Sequence, residues 1–278
     1  MVQISELYIY PVKSLGGIAL QQAKVTKRGL EHDRRWMLID NENQFLSQRK
    51  YPQMALFKLQ ILEQGIDVLH QPSGNSTIIP YQPQNNEMVD VIVWDDACRG
   101  TYVSAKLDEW FSRMLNINCR LIHMTDDSIR PVDPRYASSG HITSFADGYP
   151  MLLVSEASVA ELNNRLTNQI TVKRFRPNII ITGTEPYEED RMQHFEIGGI
   201  NFYGVKPCAR CVMIGVDSET ATSGPEPLKT LAGYRRIGNK VLFGQNLIHD
   251  KEGIITVGDA VQTHKLGEEL PFTVKAAV

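Results

Sequence analysis

The sequence predicts an α+β protein that is predominantly β, built as two β-rich units with a few helices. Three observations predict it. The chain has 278 residues, above the size at which one hydrophobic core usually stops growing. Hydrophobic residues make up 42% and charged residues 22%, the balance of a globular protein rather than a disordered one. Short apolar or alternating runs, broken by turn residues, recur along nearly the whole length, whereas helical periodicity shows in few places.

In chain order, the first half offers strand-like runs at Gln3–Tyr10, Trp36–Ile39, Met54–Leu62 and Met88–Val93. Gly16–Gly17, Asp40–Asn43 and Pro72–Asn75 separate them as turns, a rhythm that suggests a compact antiparallel sheet or barrel. From Ser104 to Leu115 the pattern changes. Leu107, Trp110, Phe111, Met114 and Leu115 fall at helical spacing behind Ser104 as N-cap, so one face of a helix should be packed. The polar stretch Thr125–Ser144 reads as a connector or mobile loop, which places the unit boundary near its start and gives units 1–122 and 123–278. A second helix is signalled by Ser155-Glu-Ala-Ser158 followed by Val159, Leu162 and Leu166, with Ser155 or Ser158 as cap. Strand-like runs then follow at Asn178–Thr182, Ile200–Val205, Cys211–Val216, Lys240–Phe243 and Gly253–Val257.

Composition narrows the function. Lys and Arg number 29 against 32 Asp and Glu, a net charge of −3, so no polyanion-binding surface and no nucleic-acid partner are expected. No apolar run approaches the roughly 20 residues that span a bilayer, and the N-terminus lacks the pattern of a signal peptide. The expectation is a cytoplasmic protein without a membrane partner. Cys98, Cys119, Cys208 and Cys211 are too few and too scattered for a disulfide framework. They also lack the compact four-thiolate arrangement of a plant-type iron–sulfur centre, so electrons for redox chemistry would come from elsewhere.

Four segments could carry chemistry. Lys206-Pro-Cys208-Ala-Arg210-Cys211 sets a cysteine pair beside two cations that would favour a thiolate, the soft ligand of many redox metals. The same pair could be a dithiol, half of a zinc site or two buried thiols, although no second Cys pair or His pair supports zinc and no βαβ helix opens at it. Tyr10-Pro-Val-Lys13-Ser14-Leu-Gly-Gly17 can offer backbone amides and an ammonium to a phosphate, or be a hairpin turn with a solvated lysine. Asp33-Arg34-Arg35-Trp36 leads into a hydrophobic strand, so an inward guanidinium needs an anion; Asp33 is one choice and a ligand is another. Arg176 and Asn178 precede an apolar strand and, in an extended chain, would face one way, as a ligand contact or a strand-end salt bridge.

Taken together and in order, these segments resemble the MOSC superfamily, in its two-domain form with an N-terminal MOSC-type β-barrel domain. The likeness is to the mitochondrial amidoxime-reducing components and the bacterial YcbX-like proteins. It runs from Ile4 to about Leu266 and adds Ser155-Glu-Ala-Ser158 and Phe243-Gly-Gln245. The resemblance implies an N-terminal MOSC β-barrel-like domain followed by a MOSC domain, with a mononuclear molybdenum on a pterin dithiolene (Mo-molybdopterin) between them. It implies Cys211 as the protein's metal ligand. It implies Lys13, Ser14 and Arg34 at the pterin phosphate end, Arg176, Asn178 and Arg210 on the pterin from the other side, and Asp147 as a site-proximal acid. Residue 246 is Asn where animal relatives carry an aromatic. YcbX-like proteins often add a C-terminal ferredoxin domain; the expectation here is of the shorter form that borrows electrons from separate proteins.

The activity so implied is reduction of an N-hydroxylated small molecule by oxygen-atom removal, with electrons from a separate reductase or ferredoxin-type donor. Three alternatives stand beside it. One is a sulfur carrier akin to the MOSC part of molybdenum-cofactor sulfurases, another a cofactor store or carrier without reductase activity. The last is a thiol–disulfide exchanger in which Cys208 matters as much as Cys211.

Overall fold

The computed structural model describes residues 1–137 and 140–272. Strands account for about 41% of it and helices for about 16%, the mainly β, α+β balance expected. The largest sheet has nine strands. Its order is Gln262–Leu266, Met192–Ile197, Ile200–Arg210, Lys240–His249, Met151–Ser155, Ile179–Thr182, Gln3–Ile9 and Ile18–Leu20, with Arg236–Ile237 paired beside Lys240–His249. Strands from both ends of the chain therefore share one sheet. Gln3–Ile9 pairs antiparallel with Ile179–Thr182, which lies parallel to Met151–Ser155. A four-stranded sheet holds Trp36–Ile39, Arg120–His123, Asp96–Tyr102 and Met88–Val93, and two three-stranded sheets complete the β structure.

Both expected helices form. Helix α1, Ala105–Leu115, starts at Ser104, whose hydroxyl accepts from the Leu107 amide at 3.4 Å. Leu107, Trp110, Phe111 and Leu115 are buried on one face, and Phe111 packs within 5.8 Å of the Phe57 ring. Helix α2, Glu156–Asn163, is capped by Ser155. Ser158 instead donates to the buried Glu189 at 2.7 Å. A third helix, α3 (Leu228–Tyr234), carries too few apolar repeats to stand out in the sequence.

Two expectations need correction, and a third gains detail. Met54–Leu62 splits into a 3-10 turn at Pro52–Leu56 and a strand at Phe57–Leu62, because Pro52 lacks the N–H for a ladder and suits the first helical position. The Thr125–Ser144 stretch forms no helix or regular strand among its described residues, yet buried Arg130 ties it down by donating to Ser144 O and pairing with Asp96 at 2.7 Å. The strand expected at Cys211–Val216 does not form; the strand that precedes it runs on through Cys208 and stops short of Cys211. Ile200–Arg210 is the strand, and Val212–Gly215 is a 3-10 turn. Irregular pairing at Gly204/Lys206 and Pro207/Ala209 lets the strand pass through Pro207, a residue tolerated in sheets mainly at bulges.

Candidate cofactor site

The site is built where the N-terminal strand leaves the large sheet. Pro11–Lys13 runs beside Trp36, with the Lys13 amide on Trp36 O at 2.8 Å and the Trp36 amide on Pro11 O at 3.0 Å. This pairing brings Lys13, Ser14 and Arg34 to one cleft, which Asp147, Arg176, Asn178 and Arg210 line from residues of the second half. Seven of the eight sequence-predicted site residues thus meet there.

Lys13 is buried and donates to Phe145 O and to Asp147 Oδ1, each at 2.7 Å. Burial lowers its pKa, while Asp147 works against that. Asp147 opens to the cleft, with 65% of its side chain exposed. Burial of its surroundings raises its pKa, but Lys13 and the Trp94 indole, 3.1 Å away, outweigh this and hold the carboxyl below the usual carboxylate range. Arg34 is held by Asp33 Oδ2 at 2.6 Å, Asn178 Oδ1 at 3.1 Å and Arg176 O at 3.0 Å. Asp33 is also the acceptor for the Tyr10 amide at 2.8 Å, so it is the partner that the buried guanidinium requires. Arg35 turns the other way, to Met124 O and Asp126.

Asn178 is a cross-link. Its Oδ1 accepts from Leu152 N and Arg34, and its Nδ2 donates to Tyr8 O, so one amide ties two strands of the large sheet to the arginine loop. Arg176 does not continue a strand toward it. Its φ of +54° is left-handed, so the two side chains reach the cleft by a turn rather than by alternation on an extended chain. Ser14 (+70°) and Arg34 (+49°) share that conformation. Non-glycine residues in it carry strain of about 1 kcal/mol or more, and such residues cluster at binding sites.

The guanidinium groups of Arg34 and Arg176 lie 4.4 and 4.1 Å from the centre of the Tyr10 ring. Arg176 donates through Nη1 to Leu15 O at 2.7 Å. Arg210 donates to Phe243 O at 2.8 Å and Phe175 O at 3.0 Å. Each has a buried Nη2 without a hydrogen-bond partner. Burial, then Arg34, pushes the Arg176 pKa down, although a guanidinium keeps its charge at neutral pH. Two desolvated cations with unmatched donors fit an anionic ligand rich in acceptors. Gly244 makes room for one of them: its φ is +77°, and a Cβ would lie 2.8 Å from Leu153 O and 3.3 Å from Arg210 Nη2.

The cysteine pair divides. Cys208 lines the cleft, packs against the apolar cluster around Phe175, Ile214 and Phe243, and has its thiol pKa raised by burial. Cys211 is partly buried and unpaired, at the end of the strand where the 3-10 turn begins. It is not among the residues lining the cleft. The cations expected to favour a thiolate are otherwise engaged: Lys206 sits 4.1 Å from the Tyr136 ring centre, and two nitrogens of Arg210 serve backbone carbonyls.

Ser47, Arg49, Trp94, Tyr149 and Met213 also line the cleft, and sequence reasoning missed them. Arg49 stacks 4.2 Å from the Trp94 ring centre. A serine and an arginine two apart just after a turn was the available signal for the 47–49 pair, whereas Trp94 gave none beyond being an aromatic residue before Asp95-Asp96. Asn246 lines the cleft too and donates to Lys206 O at 3.0 Å.

The MOSC N-terminal beta barrel domain matches residues 1–118 and the MOSC domain residues 140–262. Mitochondrial amidoxime-reducing component 1 of Mus musculus is 31% identical over 277 residues, which cover 93% of this chain and 81% of that protein. The chain belongs to the MOSC-domain family. The Homo sapiens component 1 is likewise 31% identical, over 93% of this chain and 82% of its own. A further MOSC relative, the molybdenum cofactor sulfurase of Arabidopsis thaliana, is 31% identical over 89% of this chain, which spans 33% of the sulfurase. Among the described residues of this MOSC chain, no helix is long and apolar enough to cross a membrane.

Proposed function

We propose that this MOSC protein binds Mo-molybdopterin in the cleft and reduces N-hydroxylated small molecules, taking electrons from a separate donor protein of the reductase or ferredoxin type. The observation that carries the reading is the pair of buried, unmatched Nη2 donors of Arg176 and Arg210 at one cleft. The relatives' names support it: amidoxime reduction for one group, molybdenum cofactor for the other. We place the boundary of the two units near residue 122. With four unpaired cysteines, a cytoplasmic setting suits the chain.

Arg176, Arg210 and Ser14 would hold the anionic cofactor, with Lys13 and Arg34 adding charge from positions already fixed by Asp147 and Asp33. Cys211 would be the metal ligand. Cys208, although it lines the cleft, is less suited, since burial raises its thiol pKa and disfavours the thiolate. The cofactor, when bound, supplies the two-electron change that cleaves the N–O bond. The balance is one N–OH, two electrons and two protons giving one N–H and one water. Because Asp147 stays ionised at neutral pH, its part is to keep the Lys13 ammonium at the cleft rather than to donate a proton.

The test uses molybdenum-loaded protein, an artificial electron donor and N-hydroxylated bases. Turnover is expected, with Cys211→Ser losing both metal and activity and Cys208→Ser keeping the metal. No turnover at full metal occupancy would remove the reductase reading. The alignment of the sulfurase over 89% of this chain favours a second reading, a sulfur carrier. A persulfide on Cys211 that passes to an acceptor, without reductase turnover, would select it.

A further inference from the structure

The segment 32–36 borders a second cavity that the cofactor reading does not use. Arg34 faces the cofactor cleft, whereas His32, Arg35 and Trp36 line this other space, together with Arg28 and His123. Its volume is about 390 Å³, enough for a small molecule. Three of its lining side chains, Arg28 (7% exposed), Trp36 (1%) and His123 (3%), have a buried polar atom with no partner: Arg28 Nε, Trp36 Nε1 and His123 Nδ1. Two of these are obligate donors. Each such group left unmatched costs about 1–3 kcal/mol, so the two obligate donors at one cavity call for acceptors, and His123 joins them in its Nδ1–H tautomer.

The charges give the sign of the missing group. Arg28 donates through Nη2 to Asp126 O at 2.7 Å and to Ser128 O, and no carboxylate pairs with it among the described residues. Two of the three acids nearby are engaged. Asp126 pairs with Arg35 at 2.8 Å and Glu31 with Lys24 at 3.1 Å. Lys27 adds a further cation to the lining, and Glu252 one more acid. A buried guanidinium without a carboxylate is offset by a bound anion. The walls are aromatic: Trp36 and His123 have ring centres 4.8 Å apart, and His32 stacks on Tyr81 at 4.7 Å.

We propose that this cavity is an anion site for a small carboxylate or phosphate, whose oxygens accept from Arg28 Nε–H, Trp36 Nε1–H and the Nδ1–H tautomer of His123. Burial lowers the His123 pKa to about 3, so the imidazole is neutral in working conditions and serves as a hydrogen-bond donor, not as a charge. The cationic component comes from Arg28 and Lys27.

The three tryptophans of the chain give three indole N–H signals in a ¹⁵N spectrum of the full-length protein, and Trp36→Phe identifies the one in the cavity. Sodium phosphate and sodium acetate are titrated separately at constant ionic strength. The Trp36 signal is expected to move saturably with at least one of them; phosphate alone assigns a phosphate site, acetate alone a carboxylate site. In Arg28→Lys, which keeps a charge but lacks the Nε donor, the apparent Kd should rise about ten-fold, the size of one charge-assisted hydrogen bond. In Arg176→Met, altered only in the cofactor cleft, it should not change. A Trp36 signal that stays still in both titrations, as for a cavity holding water only, overturns the proposal. So does an unchanged Kd in Arg28→Lys, or a binding event lost in Arg176→Met. Should Arg28→Lys not fold, calorimetric titration of Trp36→Phe decides: weaker binding supports the site and equal binding refutes it.

Discussion

On the N-terminal side of the cofactor cleft, Lys13 and Arg34 are held by acceptors of the protein itself, Asp147 and Phe145 O for one, Asp33, Asn178 and Arg176 O for the other. On the C-terminal side, Arg176 and Arg210 each keep a buried nitrogen without a partner. The four cations look alike in sequence but have different physical standing. The first pair is neutralised on folding and ties the two halves together, with the Lys13–Asp147 and Arg34–Asn178 contacts spanning more than a hundred residues of chain. The second pair carries an unmet desolvation cost until a ligand arrives, and so should report on binding far more than on stability.

The comparison breaks most visibly at Asp33. Asp33→Ala strands the Arg34 guanidinium and the Tyr10 amide, and should lower unfolding stability by about 3–5 kcal/mol, the cost of removing one partner of a buried pair; denaturant titration checks it. A loss below about 1 kcal/mol, the scale of a surface pair, would mean that Arg34 is not neutralised by the protein.

Away from both walls, Glu189 provides a pH reference. It is buried, and burial followed by the neighbouring Asp190 pushes its pKa up from 4.5 to about 7. The folded state therefore binds the extra proton more tightly than the unfolded state. The carboxyl's contribution is fully present below pH 4.5 and is lost as pH rises to about 7, a change on the order of 3 kcal/mol at most. In Glu189→Gln this decline should vanish from the stability profile between those values, with cofactor retention unaltered.

A smaller effect on stability is expected at Gly244. Gly244→Ala places a methyl against Leu153 O and Arg210 Nη2 at a φ of +77°, costing about 1–2 kcal/mol for the left-handed backbone. Because the methyl also shifts Arg210, retention of the cofactor should fall several-fold; an unchanged retention would separate Arg210 from ligand binding.

Much of this arrangement was legible in the sequence where the signal is local. Ser104 and Ser155 cap their helices as their position before apolar periodic runs implies, and Trp36–Ile39 is the strand that four consecutive apolar residues suggest. The segments that meet at the cleft were found through the order of their motifs, not through any single one. What stayed hidden depends on long-range geometry. Nothing local says that Lys13 pairs with Asp147, or that Asn178 braces Arg34. The left-handed backbone of Ser14, Arg34 and Arg176 runs against the preference of those residue types, so reading Arg176 and Asn178 as an extended pair gave the right neighbours by the wrong path. The strand that runs on through Cys208 has a similar cause: Pro207 argues locally against a strand, and only bulged pairing with Lys240–His249 accommodates it.

The most direct test of the central claim is retention of molybdenum and pterin by freshly prepared protein from a host that makes the cofactor, comparing wild type with Arg176→Met and Arg210→Met. Each substitution removes a buried cation with one unmatched nitrogen, so the expected result is cofactor content lowered by at least ten-fold, with the stability of the cofactor-free protein changed by about 1 kcal/mol or less because the lost desolvation cost offsets the lost backbone contacts. Wild-type levels of molybdenum and pterin in both folded variants would contradict the claim that these two guanidinium groups await the cofactor.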